Sequence, residues 1–207
     1  MKPLTKEMQS AITPTMALNL LKDGHKRFVN NLKINRNLLQ QANDTSDGQH
    51  PFAVILSCID SRTSAELIFD QGLGDIFSVR IAGNIVNDDI LGSMEFGCKL
   101  AGAKIIIVLG HTKCGAVKGA CDNVALGNLT GLIAKIKPAV DQEMTTTDNR
   151  NSSNSNFVEN VAEIHVSLSV RNILLQSPII AEMVKNDEIG IVGGVHDIST
   201  GEVKFFE

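Results

Sequence analysis

The sequence contains no tryptophan and no tyrosine, so its eight phenylalanines are the only phenyl-type rings. It also lacks an excess of positive charge: 19 Lys and Arg stand against 23 Asp and Glu, and the formal net charge is -4. Proteins that bind nucleic acids or anionic membranes usually present a basic face, and single strands also need aromatic rings for base stacking. We therefore expect neither a nucleic acid nor a membrane as a partner.

Long apolar runs are missing as well. The longest, residues 105–109, has the length of a buried strand and is far shorter than the roughly 18 residues that cross a membrane. No secretory signal pattern follows Met1, so we expect a cytoplasmic protein. With 207 residues, of which 43% are hydrophobic, the chain can bury a substantial core, and disorder of the whole chain is excluded.

Strand patterns alternate with helix patterns along the chain. Apolar runs of strand length occupy residues 52–57, 76–83, 104–110 and 188–197, and helical spacing separates them. This alternation predicts an α/β fold with a mostly parallel central sheet flanked by helices. The segment 199–207 begins with a Thr-Gly turn and predicts an antiparallel C-terminal edge strand.

We expect residues 1–207 to form a single domain. Residues 1–35 predict an N-terminal helical arm, in which Gly24 either kinks one helix or separates two short ones. Residues 141–156 are polar and low in complexity and predict an exposed loop, and residues 40–51 predict a second polar loop. Residues 63–66 have the pattern of a capping box, which predicts a helix from there to Phe69.

The residues suited to chemistry follow two of the predicted strands. Cys58 lies in a C-x-D-x-R pattern after the first strand, and His111 and Cys114 lie in G-H-x-x-C-G after the third. Because parallel strands end at the same edge of a sheet, we expect these two thiols and one imidazole to lie together. They form a three-ligand zinc set with a fourth position for water, a carboxylate or substrate, and the adjacent Asp60 favours a catalytic site.

The remaining cysteines and histidines fit such a site less well. H-x-x-C alone is a weak signal, because both residue types are often found in protein cores. Cys121 would lie about 10 Å from Cys114 along the next helix, too far to share one zinc ion. Cys98 has the pattern of a buried apolar thiol. Four histidines lack ligand-like spacing and are expected to be structural or surface residues: His25, His50, His165 and His196.

The motifs CIDSR, VRIAGN, GHTKCGAVKG and the terminal IVGGVHDISTGEV resemble those of the β-class carbonic anhydrases in order and spacing. The resemblance extends over residues 16–207 and is weakest at residues 141–156. It implies an α/β fold whose N-terminal helices wrap a partner subunit in a homodimer or homotetramer. It also implies a lyase that uses one Zn²⁺ per chain to convert CO2 and water reversibly into bicarbonate and a proton.

The resemblance also assigns roles to individual residues. The zinc ligands would be Cys58, His111 and Cys114. Asp60 and Arg62 would form the pair that orients a zinc-bound hydroxide towards CO2. Four residues would contact the substrate, with the first reaching it across the dimer: Gln49, Phe77, Ala82 and Gly115. Phe96 replaces a tyrosine that the family often has, which removes one hydroxyl group.

The family also contains members in which the aspartate moves onto zinc at lower pH and closes the site. Those members commonly carry a tryptophan and a tyrosine where this sequence has Ile55 and His196, and only Arg80 matches them. We therefore predict an open site, with Asp60 paired to Arg62 near neutral pH.

Two alternatives remain at this point. A lyase or hydrolase acting on CS2 or COS would use the same motif residues. A zinc protein without turnover is the other alternative, although a purely structural zinc site would not need the Asp60–Arg62 pair.

Overall fold

The computed structural model describes residues 3–206. Within them one sheet is formed by β1 (Ala53–Ser57), β2 (Ile76–Arg80), β3 (Ile105–His111), β4 (Gly190–His196) and β5 (Val203–Phe206). The strand order is β2-β1-β3-β4-β5, and only the pairing of β5 with β4 is antiparallel. The predicted α/β class, the mostly parallel sheet and the antiparallel C-terminal edge strand are confirmed.

Helices flank the sheet and connect its strands. Before β1 and between β1 and β2 lie α1 (Lys6–Ser10), α2 (Pro14–Val29), α3 (Leu38–Asp44) and α4 (Ala65–Ile68). After β2 follow a 3-10 turn (Ala82–Asn84), α5 (Asp88–Glu95) and a π-helical turn (Phe96–Leu100). Between β3 and β4 lie α6 (Gly115–Cys121), α7 (Gly127–Ala134), α8 (Lys137–Gln142), α9 (Ser155–Gln176) and α10 (Pro178–Lys185). No helix of residues 3–206 is long and apolar enough to span a membrane.

Both faces of the sheet are covered because successive residues of a strand point to opposite faces. In β1, Val54 and Leu56 belong to one core cluster, whose helical members include Met94 and Ile173. Ala53 and Ile55 belong to a second cluster, which contains residues of α2 and α4. A strand that is buried on both faces has a continuous apolar sequence. For this reason β1 and β3 could be predicted from the sequence.

The N-terminal segment packs on the sheet through α2, which contributes Ala17 and Leu21 to the core. Of the two predicted alternatives at Gly24, two short helices are excluded, since α2 is continuous from Pro14 to Val29. A β-carbon at Gly24 would lie 1.8 Å from the carbonyl oxygen of Phe69. The glycine is therefore required by a close approach between α2 and the chain after α4, and it does not end the helix.

The prediction of a loop over residues 40–51 is wrong for its first part, because α3 extends to Asp44. The side chain of Asn37 caps this helix by accepting a hydrogen bond from the amide of Gln40 at 3.0 Å. Residues 141–156 are mostly exposed, as predicted, but their two ends belong to α8 and α9, and Glu143 is only 1% exposed.

Candidate metal centre

The ends of β1 and β3 bring three ligand-type side chains together. The two strands are adjacent and parallel, with Ser57 opposite Leu109, so that Cys58 and His111 emerge at the same edge of the sheet. The turn after β3 returns Cys114 to the start of α6. The Sγ atoms of Cys58 and Cys114 and a ring nitrogen of His111 all lie within 4.8 Å of one another. The three residues lie together, as the strand-end argument predicts, and all three are buried.

The His111 ring is oriented as a metal ligand. Its Nδ1 lies 2.9 Å from the carbonyl oxygen of Thr112, and because a carbonyl oxygen only accepts, Nδ1 carries the proton. Nε2 therefore presents a lone pair, yet this atom is buried and has no hydrogen-bond partner among residues 3–206. Two cysteine sulfurs beside one free imidazole nitrogen are a donor set that zinc prefers. The residues present therefore fit a zinc ion.

The two thiols have different ionisation properties. A hydrogen bond from Cys114 lowers the pKa of Cys58, and a hydrogen bond from the backbone amide of Gly83 adds to this effect. The same pairing with Cys58, together with burial, raises the pKa of Cys114. Cys58 therefore loses its proton more readily than Cys114, and a bound metal ion would require both thiols as thiolates.

Asp60 and Arg62 form a bidentate pair beside this group. Nε of Arg62 donates to Oδ1 of Asp60 at 2.9 Å, and Nη2 donates to Oδ2 at 2.7 Å. The hydrogen bond from Arg62 holds the pKa of Asp60 well below its usual range, so the carboxylate is ionised. Oδ2 of Asp60 also lies 4.0 Å from the unpartnered Nε2 of His111. The predicted pairing is present, whereas site closure concerns the metal-loaded protein and remains a prediction.

Arg80 holds the loop that carries Cys58 and Asp60. Its Nε donates to the carbonyl oxygen of Cys58 at 3.0 Å, and its Nη2 donates to that of Asp60 at 2.6 Å. Arg80 ends β2 and is paired with Ser57 in the sheet, so it lies directly beside the loop. No sequence motif indicates this role of Arg80. Its only signal would have been an arginine at the end of a strand adjacent to β1.

Thr63 also supports this loop, and the predicted capping box does not form. Its hydroxyl donates to the carbonyl oxygen of Asp60 at 3.0 Å rather than capping α4. The helix that the box predicted is present, but it is short, and Ser64 is its N-terminal cap residue.

Two of the four predicted substrate residues lie at the metal-binding group. Ala82 begins the 3-10 turn in which the amide of Gly83 donates to Sγ of Cys58 at 3.3 Å. Gly115 follows Cys114 directly and is exposed, and a β-carbon there would meet no atom within 4 Å. Both positions border the group in this chain.

The other two predicted substrate residues do not approach it within one chain. Phe77 pairs with Val54 in the sheet, four positions before Cys58, which is about 13 Å along a strand. It packs edge-on against Phe96, with 6.2 Å between ring centroids. Gln49 precedes β1 and is exposed, at the opposite end of the strand from Cys58.

The remaining thiols stay apart from the metal-binding group, as the sequence analysis expected. Burial raises the pKa of Cys98 to about 12 and that of Cys121 to about 11, so both are protonated near neutral pH. In the described part of the chain, no further set of three His, Cys, Asp or Glu side chains could hold a metal ion. Three of the four other histidines are buried in the structure: His25, His165 and His196.

Comparisons with known proteins agree with this geometry. A family model described as carbonic anhydrase matches residues 53–203. Carbonic anhydrase 2 of Mycobacterium tuberculosis is 33% identical over 189 residues, which cover 91% of this chain and 90% of that protein. The β-carbonic anhydrase CafA of Aspergillus fumigatus superposes with a TM-score of 0.72 at 22% identity, over 93% of this chain and 90% of that one. A tetrameric β-carbonic anhydrase of Sordaria macrospora superposes with a TM-score of 0.70 at 23% identity, over 93% of this chain and 94% of that one.

Proposed function

The chain belongs to the β-carbonic anhydrase family of lyases, and from this premise we propose that it hydrates CO2 reversibly to bicarbonate and a proton at one zinc ion. The observation that carries the proposal is the buried group of Cys58, His111 and Cys114, whose ligand atoms lie within 4.8 Å of one another. The ionised carboxylate of Asp60 beside this group distinguishes it from a closed structural zinc site.

Zinc, when bound, supplies the Lewis acidity that makes water acidic enough to act as a nucleophile near neutral pH. The chain supplies the orientation. Because Arg62 occupies both oxygens of Asp60 and keeps it ionised, the carboxylate can only accept further hydrogen bonds. Oδ2 of Asp60 would accept a hydrogen bond from the attacking hydroxyl group and thereby orient its lone pair towards CO2. Arg80 maintains this geometry through the backbone of the same loop.

We further propose that two or more copies of the chain assemble to complete the substrate pocket. Gln49 and Phe77 lie away from the metal-binding group of their own chain, and could contact substrate only in the site of another copy. Phe77 also lines a cavity of about 790 Å³ on β2, a strand with a free edge in the single chain. The Sordaria macrospora relatives are described as tetrameric, which supports a homodimer or homotetramer here.

Stopped-flow measurement of CO2 hydration by the zinc-loaded protein, from about pH 6.5 to 9, tests the proposal. We expect zinc-dependent turnover that is already present near neutral pH. The matched control is Cys114→Ser, which removes one thiolate ligand with a minimal change of volume and should abolish both zinc binding and turnover.

Three outcomes would change the assignment. Zinc-loaded protein without turnover at any pH would favour a non-catalytic zinc protein. Faster turnover of CS2 or COS than of CO2 would reassign the substrate. Activity that appears only well above pH 8 would keep the reaction but contradict the open position of Asp60.

A further inference from the structure

We propose that His165 is a positioning residue of the metal centre, because it fixes the peptide whose amide donates to the Cys58 thiolate. The inference rests on the zinc site proposed above. It concerns a hydrogen-bonded connection that runs from α9 through Gly83 to one of the three ligands.

The first link joins Gly83 to the ligand sulfur. The backbone amide of Gly83 donates to Sγ of Cys58 at 3.3 Å, inside the buried core. A hydrogen bond to an ionised sulfur favours the thiolate and restricts the direction in which its remaining lone pairs point. The position of this amide therefore affects the direction from which Sγ of Cys58 can bind a metal ion.

The second link is the backbone conformation of Gly83. Its φ of 65° lies in the left-handed region, which side chains disfavour. A β-carbon would also lie 2.7 Å from Cδ1 of Ile136 and 2.9 Å from Cβ of Ala116. Only glycine fits here, and glycine is also the most flexible residue, so the turn needs an external contact to remain in one conformation.

His165 provides that contact. Its Nε2 lies 2.8 Å from the carbonyl oxygen of Gly83, and because the carbonyl only accepts, Nε2 carries the proton. His165 is 4% exposed, and burial lowers its pKa, which keeps the ring neutral near pH 7. It belongs to α9, a helix of 22 residues that contributes eight buried residues to the core. The donor is therefore attached to a rigid element.

The two cysteine ligands differ in what holds the backbone amides beside their sulfur atoms. Cys114 is the N-cap residue of α6, so the backbone amides beside its sulfur, those of Ala116 and Val117, belong to the helix itself. Cys58 instead receives its amide from a turn of three residues between β2 and α5. A turn of that length cannot hold its own orientation as a helix does. We therefore assign the fixing of this turn to His165.

The experiment compares the zinc affinity of purified variants by competition with a chromophoric chelator. His165→Leu removes the donor while retaining a buried side chain, and we expect about 10-fold weaker zinc binding, as for loss of other outer-shell contacts. In His165→Gln, the side-chain amide nitrogen can occupy the position of Nε2 and donate to the Gly83 carbonyl. This variant should bind zinc with an affinity close to that of the unmodified protein. Ile173→Val, a buried change further along α9, is the matched control and should leave zinc affinity unchanged.

A second readout is the cobalt-loaded protein. Loss of the Gly83 amide from the sulfur should shift the thiolate-to-cobalt charge-transfer band to longer wavelength in His165→Leu, and leave it in place in Ile173→Val. If His165→Leu does not fold, His165→Asn replaces it, because its amide is too short to reach the Gly83 carbonyl.

The inference is overturned if His165→Leu binds zinc as tightly as the unmodified protein. It is also overturned if the Gln variant, or Ile173→Val, loses as much affinity as the Leu variant, since packing rather than the donor would then be responsible. Failure of the unmodified protein to bind zinc would instead contradict the proposed function, so the two failures are distinguishable.

Discussion

Two aspartate–arginine groups of this protein use the same hydrogen-bonding chemistry in different surroundings. Asp60 pairs with Arg62 of its own loop, and the two side chains are 17% and 55% exposed. Asp70 pairs with Arg27 of α2 and with Arg36, and the carboxylate is 2% exposed. The first group lies beside the metal ligands, and the second joins the N-terminal segment to the end of α4.

The two carboxylates differ in whether their oxygen atoms can still accept a hydrogen bond from a further group. Oδ2 of Asp70 accepts from Arg27 and from the amide of Ile34, and Oδ1 accepts from Arg36. Asp60 receives three hydrogen bonds from Arg62 alone and keeps Oδ2 directed towards Nε2 of His111. An arginine pair thus orients a carboxylate for chemistry only where one side of the carboxylate remains open to reactants.

The largest effect is expected from Asp70→Asn. The change leaves the buried guanidinium of Arg36 without its counterion, which costs about 3 to 5 kcal/mol of unfolding free energy. Zinc affinity and turnover per folded molecule should stay unchanged. Guanidinium titration at neutral pH measures the loss, and Asp23→Asn in the exposed pair with Lys26 is the control. An equally small loss in both variants would contradict the structural role of Asp70.

Asp60→Asn should produce the opposite result. We expect about a 100-fold decrease in CO2 hydration, because an amide cannot replace an ionised acceptor in orienting the nucleophile. The free energy of unfolding should decrease less than in Asp70→Asn, since Arg62 is 55% exposed and stays solvated when its partner is neutral. Stopped-flow hydration, zinc content and denaturant titration on the same preparation separate these effects. Full activity with zinc bound would remove Asp60 from the mechanism.

The smallest effect is expected at a third pair, Glu143 with Arg150. Burial alone would raise the pKa of Glu143, but hydrogen bonds from Thr145, Asn160 and Thr146 lower it to about 2, against 4.5 ordinarily. A carboxyl group whose pKa is lower in the folded than in the unfolded state stabilises the protein at pH values above the unfolded-state pKa. This stabilisation is lost as the pH falls through the folded-state pKa.

We therefore expect Glu143→Gln to be less stable than the unmodified protein by about 1.5 kcal/mol near neutral pH. The difference should shrink between about pH 4.5 and 2, where the native carboxyl becomes protonated. Denaturant titrations of both proteins at several pH values measure this difference in the free energy of unfolding. A difference that is independent of pH over this range would show that the charge of Glu143 is not responsible.

The sequence was sufficient to predict the mostly parallel sheet and the proximity of Cys58, His111 and Cys114, and the reason is the same for both. β1 and β3 are buried on both faces and therefore read as apolar runs of strand length. Cys58 and His111 stand at the ends of these runs, where the geometry of a parallel sheet determines that they are neighbours. Neither inference requires knowledge of side-chain contacts elsewhere in the chain.

The errors concern residues whose state depends on such contacts. Residues 40–44 are polar, yet they are helical because Asn37 caps them and Gln41 accepts from the amide of Leu73. Gly24 has the pattern of a helix breaker, and only the nearby carbonyl of Phe69 shows its actual role. The role of Phe77 stays a prediction, because strand register separates it from the ligands of its own chain and contact with substrate would need a second copy.

The order of these elements along the chain also has a consequence for biosynthesis. A ribosome adds residues from the N-terminus, so β1, β2 and β3 leave it before α9 and β4 are made. Because β3 pairs with β1 as well as with β4, the nascent protein can join Cys58 to His111 and Cys114 early. His165 follows later, on α9. The growing polypeptide therefore has all three predicted ligands before the histidine that we propose to fix the Gly83 peptide has been translated.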